Sequence, residues 1–322
     1  MHWRILIFTD QNRINHMETI VYKMNKEIKE NDIYIKRDDL LPFSFGGNKA
    51  RKAMYFFEDI KAKNADYIGT YGSSSSNHCR VVANLAASHN LPCFIVSPEE
   101  ESDPTFNSRI VEKLGAKVIR TPLSEVSKTI DDKMKSLKNE GYNPYFILGG
   151  GHGNLGTQAY VDCYNEILDY ELRNNINFDY IFCASGTGTT QAGLICGKLI
   201  HKRDIKIVGI SVARDKNRGS NVIKQSIDDY FNDMKLTISY DEKEIIFDDS
   251  YRCGGYGKYN SQIKKVIDDV FKFDGIALNT TYVGKAFWGM KDYLTKNKIK
   301  NKKVLFIHTG GTPLFFNDLE DK

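Results

Sequence analysis

The sequence predicts an α/β fold: parallel or mostly parallel open sheets covered by helices. Three observations carry this. Short β-branched runs alternate with amphipathic helical segments. The strand runs read as buried, the mark of parallel sheets with helices on their faces. Each glycine-rich stretch at 72–80, 149–156, 184–194 and 308–313 follows a predicted strand, where an open parallel sheet gathers its ligand-binding loops.

The elements follow in order. Residues 65–72 ("ADYIGTYG") read as a strand, 77–90 as a helix, 92–97 as a strand, 104–115 as a helix and 116–121 as a strand. A helix over 124–141 opens on a serine cap and closes on a glycine, and "YFILGGG" (145–151) ends the first half. The second half repeats the rhythm. Strands are expected at 178–185, 205–213, 243–249, 275–280 and 302–308. Helices are expected at 189–202, around 219–234, near 260–272 and from Val283 to Lys296. The tyrosine-rich helix "AYVDCYNEILDY" (159–170) reads as a packed face, and Phe287 and Trp288 as core. There is no internal repeat and no low-complexity segment.

Bulk properties narrow the function classes. A chain of 322 residues allows one large α/β domain or two domains. The net charge of +4 is mild, and the densest basic run, "KNKIKNKK" (296–303), fits a solvated helix end, so nucleic acid is not an expected partner. Six widely spaced cysteines without a C-x-x-C pair read as reduced, mostly buried thiols. The opening apolar run is too short for a signal peptide, and no stretch has the length of a membrane span. The expected location is the cytoplasm. His78, His152 and His308 sit in loops without metal-ligand spacing, so no metal is expected and the histidines read as structural.

The chemistry lies in the loops and in one lysine. "FGGNK" (45–49) places Lys49 in the first turn of a predicted helix, the wrong end of the dipole for a cation. Either the lysine is a tolerated surface residue or its pKa is lowered because the amine must react. Both the helix terminus and the neighbouring Arg51 and Lys52 are expected to depress it. "ASGTGTTQAGL" (184–194) sits between a strand and a helix, suited to a single phosphate. It lacks the G-K-[ST] of a Walker loop, and Gln191 stands where a Rossmann loop needs its third glycine. Taken alone, the loop could also be a glycine turn without a ligand, but a single phosphate is the better fit. "GSSSSNHCR" (72–80) offers hydroxyls and amides at a helix start, suited to a carboxylate, though an ordinary serine-rich cap would look the same. A poised lysine, a phosphate cup and a carboxylate cup together match the needs of a pyridoxal 5'-phosphate enzyme.

Seven blocks carry a resemblance: "IKRDDLLPFSFGGNKARK" (35–52), "YGSSSSNHCR" (71–80), "GGGHGNLGTQAY" (149–160), "ASGTGTTQAGL" (184–194), "GGYGKYN" (254–260), "DGIALNTTYVGKA" (274–286) and "FIHTGGTPLFF" (306–316). In this order, over about residues 33–316, the chain resembles the D-cysteine desulfhydrase and 1-aminocyclopropane-1-carboxylate deaminase family, fold-type-II enzymes related to the tryptophan synthase β chain. The resemblance implies two open sheets, a small domain (50–160) inserted into a larger one (1–49 plus 161–322), the cofactor between them, and a homodimer. It makes Lys49 the Schiff-base lysine and directs Asn77 to the ring hydroxyl. It also assigns Gly186, Thr187, Gly188, Thr189 and Thr190 to the phosphate and Thr309 to the pyridine nitrogen. Ser74, Ser75, Ser76, Asn77 and His78 would meet the substrate carboxylate. Ser76, Tyr256 and Tyr282 would act on the substrate as acid, base or nucleophile.

Three departures bear on substrate. Ser75 replaces the family's glutamine before Ser76-Asn77, and Leu278-Asn279-Thr280-Thr281-Tyr282 replaces Leu-Asp-Pro-Val-Tyr. Ring-opening deaminases carry a glutamate after that tyrosine to protonate the pyridine nitrogen, where this chain has Val283. The weaker electron sink this implies argues for α,β-elimination from a small amino acid to a 2-oxo acid and ammonia, with Lys49 taking the α-proton. The alternatives are a β-replacement synthase whose altered serine loop takes a larger substrate, and a binding protein without turnover.

Overall fold

The structure, a computed structural model, describes residues 18–73, 75–99 and 104–320. In chain order its elements are β1 (Val21–Lys23), β2 (Asp32–Lys36), α1 (Asn48–Ala62), β3 (Tyr67–Tyr71), α2 (Asn77–Ser88), β4 (Cys93–Pro98) and α3 (Phe106–Lys113). Then come β5 (Lys117–Thr121), α4 (Val126–Asn139), β6 (Pro144–Ile147), α5 (Asn154–Asn174), β7 (Tyr180–Ser185), α6 (Thr189–Ile200) and β8 (Lys206–Ser211). The chain continues through α7 (Lys216–Asp233), β9 (Ile246–Asp248), α8 (Ser261–Asp274), α9 (Val283–Lys296), β10 (Lys303–Ile307) and α10 (Thr312–Glu320).

The strands form two sheets, one of six in the order β1-β2-β10-β7-β8-β9 and one of four in the order β5-β4-β3-β6. All pairings are parallel except β1 with β2. The central strand β7 shows why: its residues are buried on both faces. Phe182 joins Ile210, Phe287 and Phe306 on one side, and Ile181 and Cys183 join Ile195, Ile207 and Leu305 on the other. A strand covered on both faces needs a helix on each, which the crossovers supply. α6 lies close against α5 because Gly193 and Gly197 face it: a Cβ on Gly193 would stand 2.4 Å from Thr157 O, and one on Gly197 2.6 Å from Tyr164 Cβ. That contact fixes the helix whose amino terminus follows the 186–188 loop. Tyr160 and Tyr164 form the packed face expected of the tyrosine-rich helix.

Two expectations are corrected. Residues 275–280 form no strand, although Ile276 and Leu278 are buried. Their backbone bonds run elsewhere than to a neighbouring strand: Ala277 O accepts from His308 Nε2, Asp318 accepts from Thr280 N, and Asn279 O accepts from Gly284 N in the first turn of α9. The serine cap at 124 is replaced by a short 3₁₀ turn, Leu123–Glu125, and α4 begins without a side-chain cap. All six cysteines are free thiols, and only Cys253 is less than buried.

α1, which joins the two sheets, is anchored by a buried ion network. Arg51 donates to Asp38 at 3.0 and 2.8 Å and to Glu166 on α5 at 2.5 and 3.1 Å. Lys36 on β2 pairs with Glu166 at 2.6 Å, and Tyr160 donates to Asp38 at 2.7 Å. Burial alone would push the Asp38 carboxyl up, but Arg51 and Lys36 outweigh it and hold the group at about 2.

Candidate active site

A cavity of about 410 Å³ opens where the carboxyl ends of both sheets meet. Tyr71 and Pro98 reach it from β3 and β4, Gly149 from behind β6, Ser185 from β7, Val212 from behind β8 and Thr309 from behind β10. Lys49, Ser76, Asn77, His78, Gly186, Thr187, Gly188, Thr190, Tyr256, Tyr282 and Thr309 all line it. Ser75 and Thr189 are not among the lining residues: Ser75 bonds the Tyr256 hydroxyl, and Thr189 meets His152 Nδ1 at 2.9 Å. Ser74 lies outside the described residues. Among the described residues no carboxylate lines the cavity, so it favours an anion.

Lys49 is the second residue of α1, and the glycines before it serve a close approach. Gly47 has φ +92°, and a Cβ there would lie 2.6 Å from Thr309 O. This contact lets Asn48 N donate to Thr309 O at 3.0 Å, tying the lysine-bearing turn to the loop after β10. Lys49 Nζ donates to Gly150 O at 2.8 Å. Burial lowers its pKa to about 8. The expected contribution from Arg51 is absent, because Asp38 and Glu166 neutralise that guanidinium. Lys52 is held well below the ordinary lysine range, first by burial and then by the charge of Lys49, and its Nζ is buried without a hydrogen-bond partner.

The helix starts supply polar groups of defined orientation. Ser76 caps α2, accepting from Cys79 N at 3.2 Å. Asn77 Oδ1 accepts from Asn107 Nδ2 at 2.9 Å and Arg80 Nη2 at 3.4 Å, which fixes its amide plane. Thr70 Oγ1 donates to Ile147 O at 2.7 Å, so it accepts from His78 Nε2 at 2.8 Å. His78 is thus neutral with its proton on Nε2, consistent with the burial that holds its pKa far down. Among the described residues no group of three could hold a metal ion. Tyr256 and Tyr282 meet hydroxyl to hydroxyl with rings edge to face, and Ser75 Oγ stands 3.2 Å from the Tyr256 hydroxyl. Burial, then Tyr256, pushes the Tyr282 phenol well up, so it is a neutral proton donor.

The 186–190 loop fits a phosphate. Gly188, at φ +91°, is the N-cap of α6, whose first N–H groups have no helical acceptor. Thr190 Oγ1 accepts from Asn48 Nδ2 at 3.1 Å. Ser185 Oγ, Arg214 Nη1 and Lys52 Nζ are buried polar atoms without partners; Ser185 and Arg214 line the cavity, and Lys52 is near enough for its charge to bear on Lys49. Such orphans are rare in a folded protein, and a phosphate arriving in the cavity would supply acceptors for them. The residues therefore fit pyridoxal phosphate. Sequence reasoning missed Asn48, Ser185 and Arg214 as cavity residues; for Arg214 the signal was an arginine close behind a strand in "ISVARD".

Comparison with known proteins agrees with this geometry. Residues 19–310 match the pyridoxal-phosphate dependent enzyme family. A Pyrococcus horikoshii protein provisionally named 1-aminocyclopropane-1-carboxylate deaminase is 35% identical over 286 residues, 87% of this chain and 84% of its own. The D-cysteine desulfhydrase of Serratia proteamaculans is 32% identical over 296 residues, 88% of each chain. The solved structure of an ACC deaminase homologue superposes with a TM-score of 0.85 at 32% identity, covering 94% of this chain and 93% of its own. A threonine deaminase structure shares the fold alone, with a TM-score of 0.67 at 13% identity over 92% of each chain.

Proposed function

This chain belongs to the pyridoxal-phosphate dependent enzyme family, and we propose that it is a lyase converting a small amino acid, D-cysteine in the first instance, to a 2-oxo acid and ammonia by α,β-elimination. For D-cysteine one water is consumed, and pyruvate, ammonia and hydrogen sulfide leave. Lys49 would hold the cofactor aldehyde, Asn77 the ring hydroxyl and Thr309 the ring nitrogen. The 186–190 loop, with Ser185 and Lys52 behind it, would hold the phosphate. When bound, the cofactor supplies an electron-accepting ring conjugated to the substrate nitrogen.

The chain's own groups divide the remaining work. Ser76 and the α2 amino terminus orient the substrate carboxylate, supported by the positive end of the helix dipole. Lys49 Nζ, lowered to about 8 by burial, can take the α-proton near neutral pH. The paired hydroxyls of Tyr256 and Tyr282 stand across the cavity, where a proton can reach the departing β-substituent. The observation that carries elimination over ring opening is Val283. It is fully buried in the core (0% exposed), no carboxylate among the described residues lines the cavity, and Thr309 offers a neutral hydroxyl.

The domain division of 50–160 inserted between 1–49 and 161–322 is supported by the four-stranded sheet being drawn wholly from residues 67–147. A homodimer, which follows from the resemblance, completes the proposal, with the cytoplasm as its expected location. No helix among the described residues is long and apolar enough to cross a membrane. The test is pyruvate, ammonia and sulfide release by the loaded protein from D-cysteine, beside L-cysteine, both serines and 1-aminocyclopropane-1-carboxylate. Release from D-cysteine supports the proposal. Release of 2-oxobutyrate from the cyclopropane substrate alone overturns it.

A further inference from the structure

Lys285 sits in the first turn of α9, three residues after Tyr282, where the helix dipole disfavours a cation. It is fully buried (0% exposed), and among the described residues no carboxylate pairs with it. Its Nζ donates instead to three backbone carbonyls: Val212 O at 3.1 Å, Arg252 O at 3.0 Å and Gly255 O at 2.7 Å. An ammonium has three N–H donors, and all three are used. A cluster of backbone carbonyls around one positive charge is also how proteins replace the hydration shell of a small monovalent cation.

The carbonyls belong to two loops at the cavity. Val212 lines it directly. Arg252 and Gly255 belong to a turn in which Cys253, Gly254, Gly255 and Gly257 have φ of 53°, 90°, 141° and 72°. Such a turn is open to glycine but costs much backbone entropy to hold in one shape. Tyr256 rides on it, 41% exposed, and reaches Ser75 and Tyr282. The turn's own backbone bonds, Gly255 N to Arg252 O at 3.0 Å and Lys258 N to Gly255 O at 3.3 Å, close it on itself without tying it to the sheet. Lys285 makes that tie.

We propose that Lys285 is a built-in cation that clamps the 252–257 turn to the end of β8 and thereby positions Tyr256 over the cavity, serving where a bound ammonium or potassium ion otherwise could. Its consequence for turnover rests on the proposed role of Tyr256; the clamp itself does not. Burial draws the Lys285 pKa down to about 8, which leaves the ammonium dominant at neutral pH.

The test reads the turn and the turnover separately. Arg252 and Lys258 flank the clamp, and Lys258 is exposed, so trypsin followed by mass spectrometry reports how often the turn opens. In Lys285→Ala holoenzyme, cleavage after Arg252 or Lys258 is expected to rise roughly tenfold or more, the loss of at least one charged hydrogen bond. On the substrate eliminated by the wild type, kcat should fall with KM little changed. Ammonium chloride is expected to reverse both effects in Lys285→Ala by filling the vacated cage, whereas choline chloride at equal ionic strength should not. Lys285→Met, which keeps the apolar stem, should show the same loosening without ammonium rescue. An unchanged cleavage rate in both variants, or a loss in Lys285→Ala that choline reverses equally or ammonium does not reverse, overturns the clamp. Wild-type protein that eliminates nothing while the cleavage pattern holds would instead count against the proposed reaction.

Discussion

Replacing Arg51 by Met removes the guanidinium from the network that seats α1, and with it the support two residues from Lys49. Arg51 and Asp38 are both fully buried (0% exposed), so solvent cannot take over the lost bonds. Breaking a buried ion pair by removing one partner costs about 3–5 kcal/mol. Asp38 keeps the hydroxyls of Thr19 at 2.8 Å and Tyr160 at 2.7 Å, and Glu166 keeps Lys36 at 2.6 Å. These remaining partners place the expected loss at the lower end, about 3 kcal/mol. The acid limb gives a second, independent figure. Asp38 sits at about 2 against an ordinary 3.8. Its folded pKa is depressed, so its contribution is fully present above about pH 4 and is lost as pH falls toward 2, a difference of roughly 2–3 kcal/mol. Urea unfolding at pH 7, 5, 4 and 3 measures both. Arg51→Met should lower stability at pH 7 by about 3 kcal/mol and lose most of the decline between pH 4 and 3. A loss below about 1 kcal/mol, or an unaltered acid limb, would refute a coupled buried network.

Other expectations concern the cavity directly. With Lys49 at about 8, about one amine in ten is neutral at pH 7, against about one in three thousand for an ordinary lysine. Acylation of cofactor-free protein, followed peptide by peptide, should therefore inflect near pH 8 at Lys49; an inflection above pH 10 would contradict the burial argument. Tyr282→Phe should keep cofactor absorbance and lose about 100-fold or more in kcat, the scale of a lost proton donor. Steady-state kinetics within tenfold of wild type would remove Tyr282 from the chemistry. Gly47→Ala puts a Cβ 2.6 Å from Thr309 O at φ +92°, which should cost about 1–3 kcal/mol and weaken cofactor binding, both readable by denaturation and spectral titration.

The β–α–β rhythm was legible in the sequence because both-face burial leaves continuous apolar runs such as Tyr180–Ser185. The site was legible where chemistry demands an unusual local pattern, as in Gly46-Gly47-Asn48-Lys49 or Gly186–Thr190. The strand expected at 275–280 failed for a reason invisible locally: Ala277 O and Thr280 N are bonded by the side chains of His308 and Asp318, both about thirty or more residues along the chain. The same holds for Lys49, whose lowered pKa comes from burial, while Arg51 is neutralised by Asp38 and by Glu166 more than a hundred residues away. Neither Arg214 nor Lys285 received a role from the sequence, although Lys285 lies in the 274–286 block; their meaning appears only when the loops after β8 and around Tyr256 come together.

The most direct measurement is to reduce the cofactor-loaded protein with borohydride, digest it and locate the pyridoxyl group by mass spectrometry. The expected result is a single modified peptide carrying the group on Lys49. Modification of Lys52 or Lys285 instead, or of no lysine at all, would contradict the assignment of Lys49 as the residue around which this cavity is built.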